Sequence, residues 1–215
     1  MSYKLLLFGF SILLFSSTSN YKKKKILIIG DSISIGYTPF VKKNLGNVYV
    51  KHNIGNAQDT KFGAENVNKW LGNEKWDIIQ INWGLWDFCY RNEDSKVQGN
   101  RDKISGKITT SIEDYEINLD KIIGIIRKKS NAKIIFVTTT FVPEDELGRF
   151  QKDVQSYNEV AKQVMRKYNV DVNDIYDESV NIHKKYGKGL DDVHYTKKGY
   201  EKLGKLISNF IKKYI

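Results

Sequence analysis

The sequence predicts an α/β fold: a parallel sheet covered by helices on both faces. Two observations carry this. Five strand-like runs are separated by helix-like segments, and alternating β and α units build parallel sheets. The strongest runs are also apolar throughout, as strands buried on both faces are. The expected strands are Ile26–Ile29, Val48–Val50, Asp77–Asn82, Lys133–Val137 and a weaker Val170–Asp174.

Helical spacing of apolar residues marks the segments between them. Phe62–Leu71 is one, with Trp70 and Leu71 facing the core. Ser111–Lys129 is the clearest, because Ile112, Tyr115, Leu119, Ile122, Ile123 and Ile126 fall on one stripe. Ser111 followed by Asp114 resembles a capping box at its start. Val154–Tyr168 and Tyr200–Ile211 complete the set. No internal repeat or linker interrupts the chain. Arg91–Thr110 is the one long polar stretch, expected on the rim after the third strand, and a loop of that length is functional or mobile.

The chain has 215 residues, enough for one domain with a real core. Its single cysteine, Cys89, excludes an intramolecular disulfide framework and argues against thiolate metal binding. The net charge of +10 is spread as lysines over helix faces, with short clusters at 22–25 and 212–213. No nucleic-acid signature accompanies it, so no nucleic-acid partner is expected. The N-terminus has a basic head, an apolar stretch Leu5–Phe15 and then small residues, which is the layout of a secretory signal peptide. Residues 1–20 are read as that signal peptide, or as a short N-terminal anchor. Residues 21–215 are read as one enzymatic domain, secreted or periplasmic. Membrane contact is expected only through the N-terminal segment, if it is retained.

The chemistry is expected at Gly30-Asp31-Ser32, where the first strand stops abruptly. A serine at the carboxyl end of a central strand stands where open α/β sheets place ligands. It becomes a nucleophile when a histidine takes its proton and a carboxylate holds the imidazole. Asp191-Asp192-Val193-His194 supplies such a pair near the end of the chain. Three scattered histidines, His52, His183 and His194, have no zinc spacing, so no metal or other cofactor is expected.

These motifs, in this order, resemble the SGNH (GDSL-type) hydrolase family of secreted esterases and lipases. Gly30-Asp31-Ser32 is the first block, and Asn53 to Thr60 follows the second strand. Gly84-Leu85-Trp86-Asp87 follows the third, and Asp191-x-x-His194 precedes the last helix. The resemblance spans the whole chain after the N-terminal segment. It implies a flavodoxin-like three-layer α/β/α fold with five parallel strands. It further implies Ser32 as nucleophile, His194 as base and Asp191 as the residue that orients it.

Two positions depart from the family pattern. The third block holds Trp86 where the family has an asparagine, as in a subgroup with His or Trp there, and the second block holds Gln58 where the family has a glycine. The oxyanion donors expected are therefore the Ser32 backbone N–H, Asn56, Gln58 and Asn82. Trp83 and Trp86 are candidates for stacking on sugar rings, with packing in the core as the alternative. Glu144, Asp145 and Glu146 read as a solvated acidic cluster, Arg149 as a surface residue, and Asp87 as a brace for the loops. The function expected is hydrolysis of small acyl esters, with acetyl groups on carbohydrate the best match, by a monomer. An O-acetyltransferase on the same fold and a non-catalytic carbohydrate-binding relic are the alternatives.

Overall fold

The computed structural model describes residues 23–215. The signal peptide expected over 1–20 lies outside the described residues. Five strands form one parallel sheet: β1 (Lys25–Ile29), β2 (Tyr49–His52), β3 (Ile78–Ile81), β6 (Lys133–Val137) and β7 (Asp171–Asn173). Their order is β2-β1-β3-β6-β7, so β1 lies between its two successors in the chain. Ile28 pairs with His52 on one side and Gln80 on the other. The chain direction across the sheet reverses at β1, and open α/β sheets leave a crevice beyond the strand ends at such a point.

Helices α1 (Ser32–Leu45), α5 (Tyr176–Tyr186) and α6 (Lys197–Ile211) pack together on one face. Helices α2 (Thr60–Leu71), α3 (Ile112–Lys129) and α4 (Gln151–Lys167) cover the other. For α1 against α2, α3 and α4 this division follows from right-handed crossovers, because the β1–β2 connection runs one way across the sheet and the later ones run the other; α5 and α6 follow the last strand and pack beside α1. The resulting three layers are the fold class the apolar strand pattern predicts. Ile26, Leu27, Ile28 and Ile29 are all fully buried, so the strand has no solvent face to mark with polar residues.

Two helices carry a weaker apolar signal than the rest. The buried side of α1 includes Ser34 and Thr38 among Ile33, Tyr37, Val41 and Leu45, and Pro39 lies within it. The buried residues of α5 are Ser179 and His183, both polar. By contrast, α3 buries Tyr115, Leu119, Ile122, Ile123 and Ile126, and Ser111 caps it by accepting the Asp114 N–H at 3.1 Å. The Arg91–Thr110 stretch is not structureless. A short hairpin of β4 (Tyr90–Arg91) and β5 (Lys107–Ile108) closes its base. A second hairpin, β8 (Gly187–Gly189) with β9 (Asp192–Tyr195), leads into α6. Among the described residues, no helix is long and apolar enough to cross a membrane.

Candidate active site

Ser32 is the first residue of α1, directly beyond the end of β1. Asp31 caps that helix, its carboxylate accepting the Ile33 N–H at 2.9 Å. The Ser32 N–H is among the first amides of the helix, for which the helix supplies no acceptor. It therefore faces outward at the positive end of the α1 dipole. Asn53 anchors the turn from the other side: its Oδ1 accepts the Gly30 N–H at 3.0 Å and its Nδ2 donates to the Gly55 carbonyl at 3.1 Å.

His194 comes from β9. Its Nε2 lies 2.8 Å from Ser32 Oγ. Its Nδ1 lies 2.5 Å from Asp192 Oδ1, and the same oxygen accepts the His194 backbone N–H at 2.9 Å. The carboxylate on the imidazole is thus Asp192 and not Asp191, which corrects the reading from motif spacing. The reason is strand periodicity. Residues two apart in an extended strand share a face, whereas residues three apart do not. Along β9, Asp192 and His194 are half-exposed while Val193 and Tyr195 are buried. Asp191 sits in the preceding turn, exposed at the rim.

His183, buried on α5, contributes a further support. Its Nε2 lies 2.8 Å from the Asp192 carbonyl oxygen, which ties the backbone of β9 to α5. Thr196 caps α6 and holds the other end of the strand. Burial alone would raise the Asp192 carboxyl. The His194 amide, its imidazole and the nearby Lys188 outweigh burial and hold the carboxyl below its usual range. An ionised carboxylate in this place fixes the imidazole tautomer with Nε2 turned to the serine.

The four oxyanion candidates separate in the structure. Asn56 lines the same cavity as Ser32 and His194. Its Oδ1 accepts the Gln58 N–H at 2.8 Å, and its Nδ2 has no hydrogen-bond partner among the described residues. Gln58 drops out, because its amide is spent on Asn56. It does carry the backbone of the glycine it replaces, with φ at 52°. Asn82 drops out as well, since its Nδ2 donates to the Val137 carbonyl at 3.1 Å and bridges β3 to β6. The donors left beside the serine are its own N–H and Asn56 Nδ2.

The two tryptophans also differ. Trp83 is fully buried and donates its indole N–H to the Ala57 carbonyl, so it is a core residue and not a sugar platform. A Cβ at Gly63 would collide with its ring, which is why α2 carries a glycine there. Trp86 is half-buried and lines the Ser32 cavity, with the Arg91 guanidinium 4.8 Å from its ring centre. Asp87 is buried. Its Oδ1 accepts both the backbone N–H (2.8 Å) and the hydroxyl (2.6 Å) of Thr60, bracing the third block against α2.

Motif reading missed the arginine side of the cavity. Glu146 is not solvated: it is fully buried and binds the Nη1 atoms of Arg101 (2.6 Å) and Arg149 (2.9 Å) and the Gly148 N–H (2.7 Å). Arg149 is not a surface residue. It is buried, and its Nε donates to the Leu85 carbonyl at 2.5 Å. A buried carboxylate is tolerable only when paired in this way. The i,i+3 spacing of Glu146 and Arg149 was the available signal, but an exposed ion pair has the same spacing. Arg101, more than forty residues away, cannot be inferred from it.

A serine, a histidine and a carboxylate in hydrogen-bond sequence at the switch point of an open sheet form an arrangement suited to acyl transfer. The model of the GDSL-like lipase/acylhydrolase family matches residues 28–202, and the chain belongs to that family. Its class is therefore that of an esterase or acylhydrolase. No curated protein matches it. Similar solved structures include an acetylxylan esterase from Geobacillus stearothermophilus, with 18% identity, TM-score 0.67, and coverage of 89% of this chain and 94% of that one. The acetyl xylan esterase AlAXEase has 16% identity, TM-score 0.66 and coverage of 87% and 99%. A lipase/acylhydrolase from Enterococcus faecalis has 24% identity, TM-score 0.66 and coverage of 88% and 96%. At these identities the likeness is one of fold.

Proposed function

We propose that this protein is a secreted serine esterase that removes small acyl groups, acetyl foremost, from carbohydrate. The observation that carries the chemistry is the continuous path from Asp192 through His194 to Ser32 Oγ, open to a cavity of about 450 Å³. In the reaction, Oγ attacks the ester carbonyl carbon while His194 Nε2 takes the hydroxyl proton. Asp192 stabilises the imidazolium that forms. The oxyanion accepts hydrogen bonds from the Ser32 N–H and Asn56 Nδ2. His194 returns the proton to the leaving sugar hydroxyl as the C–O bond breaks, leaving an acyl-serine. Water, deprotonated by His194, then releases the carboxylic acid and restores the hydroxyl.

The carbohydrate assignment rests on room and lining. A neighbouring cavity of about 940 Å³ shares Trp86, Arg91 and Gly99 with the first, so space extends far beyond an acetyl group. Secretion is supported by the signal-peptide layout of residues 1–20, and a monomer is the working assembly. The test is hydrolysis of p-nitrophenyl acetate and release of acetate from acetylated oligosaccharides by the wild type and by Ser32→Ala. Activity in the first and its loss in the second support the proposal. Equal activity in both would remove Ser32 from the mechanism. Hydrolysis that is slow until a sugar acceptor is added would make the protein a transferase.

A further inference from the structure

The cavity that holds Ser32 and His194 carries more positive charge than an acetyl ester requires. Arg91, Arg101, Arg149 and Lys188 all line the cavity that holds Ser32 and His194. Two of them serve one structural purpose, since Arg101 and Arg149 share the buried Glu146. Glu146 offsets one of the two charges, and the other carboxyl in range of Arg149, that of Asp31, is pushed toward its neutral form by burial, so the pair leaves a charge in excess. Arg91 forms no ion pair among the described residues, although Asp59, Glu93 and Asp94 line the adjoining trough with it. Its Nε donates to Thr109 Oγ1 at 3.1 Å, its Nη1 donates to the Gly99 carbonyl, and its Cζ lies 4.8 Å from the Trp86 ring centre. Each of these contacts fixes the guanidinium without neutralising it.

All three arginines keep an unused Nη2. Arg101 spends Nε on the Gln98 carbonyl and Nη1 on Glu146, and Arg149 spends Nε on Leu85 and Nη1 on Glu146. The Nη2 of Arg91, Arg101 and Arg149 has no hydrogen-bond partner among the described residues. On the acidic side, Asp192 is committed to His194, and Asp191 and Lys188 are both exposed on the same cavity lining. The other acids nearby, Asp59, Glu93 and Asp94, line the adjoining trough, which Arg91 shares and which Arg101 and Arg149 do not. Preorganised guanidinium forks beside a reacting centre match planar or tetrahedral oxyanions.

We infer that the substrate is an anionic ester: an O-acylated sugar whose alcohol part carries a carboxylate or phosphate, seated on Arg91, Arg101 and Arg149. This rests on the esterase reading for its reaction but not for its binding. The anion holds the alcohol part of the substrate, and the scissile acyl group then reaches Ser32 in the same cavity. A neutral acetylated sugar would leave the three Nη2 groups hydrated and unpaired.

The test is calorimetric titration of the Ser32→Ala protein with three ligands: an acetylated xylo-oligosaccharide, an acetylated galacturonate oligosaccharide and an acetylated sugar phosphate. The expected result is at least about tenfold tighter binding of one or both anionic ligands at low salt, weakening as salt rises. Which of the two binds more tightly separates carboxylate from phosphate. Arg91→Gln with Arg101→Gln removes the preference, and Lys188→Gln, at an exposed position, reduces it without threatening the fold. Thermal melting of each variant shows whether it folds. Equal affinity for neutral and anionic ligands, tighter neutral binding, or no binding of any of the three overturns the inference. Wild-type activity on p-nitrophenyl acetate is read separately. Anion-selective binding without ester hydrolysis would sink the esterase reading and leave the anion site standing.

Discussion

Two serine–histidine pairs lie two residues apart on α1, and only one is built to move a proton. Ser32 Oγ meets His194 Nε2 at 2.8 Å, and Ser34 Oγ meets His52 Nε2 at 2.7 Å. The distances alone do not distinguish them. The first pair is half-exposed at a cavity, and its imidazole rests on a carboxylate. In the second, Ser34 is fully buried, and its hydroxyl lies 2.7 Å from both the Asp31 carbonyl and His52 Nε2. His52 Nδ1 lies against the neutral Asn53 carbonyl at 2.8 Å, and burial pushes the imidazole down from its ordinary value. A nucleophile needs an acceptor for its proton, a charge to stabilise that acceptor, and access to substrate. Helix α1 offers all three at one position; at the other, the imidazole has no carboxylate behind it and the hydroxyl no access to substrate.

The sharpest way to break this contrast is to delete each serine. Ser32→Ala should lower kcat by about 10³- to 10⁶-fold, as loss of a triad member does. Ser34→Ala should leave kcat within a few-fold while costing about 1–3 kcal/mol of stability, because it strips a buried hydrogen-bond node. Comparable losses of activity from both would erase the distinction. Next in size is the carboxylate. Asp192→Asn should cost up to about 10⁴-fold in kcat through the wrong imidazole tautomer. Asp191→Asn should cost far less, and a reversed order would restore the spacing-based assignment. Asn56→Ala should lower kcat by about 10²–10³-fold with KM nearly unchanged, as removal of an oxyanion donor does.

Smaller effects concern the buried frame around the pair. Burial pushes the Asp87 carboxyl up to about 7, despite its hydrogen bonds from Thr60. Between about pH 4 and 7 the folded protein then binds more protons at this site than the unfolded chain, so Asp87 makes stability fall as pH rises through that window. Above the folded value the loss is complete. Melting temperatures across the window should fall with pH, and Asp87→Asn should flatten the part of that slope due to this group. The smallest expected change is at Gln58, whose φ of 52° suits glycine. Gln58→Gly should leave stability unchanged or raise it by up to about 1 kcal/mol, with activity retained because its amide still reaches Asn56. Chemical denaturation measures this directly.

The four motif blocks, their order and the buried central strands were legible because each depends on local rules: a turn glycine, a cap, an apolar run. Helices α1 and α5 were not, because Ser34, Thr38 and Pro39 interrupt α1, the buried residues of α5 are polar, and their partners come from distant segments. Ser34 depends on His52, and His183 on the Asp192 carbonyl. Asp192 was overlooked for Asp191 because the spacing was read on a turn, and β9 exists only by pairing with β8.

The amino-acid sequence by itself determined the α/β class, the serine at the end of β1 and the histidine that would have to meet it. The tertiary structure decided which carboxylate holds that histidine, which amides remain free for an oxyanion, and that Glu146 draws Arg101 and Arg149 into one wall. The reason lies in the range of the forces. Strand and helix periodicity act over a few residues, whereas the fate of each polar group is set by whichever partner reaches it once water is expelled, at any separation along the chain.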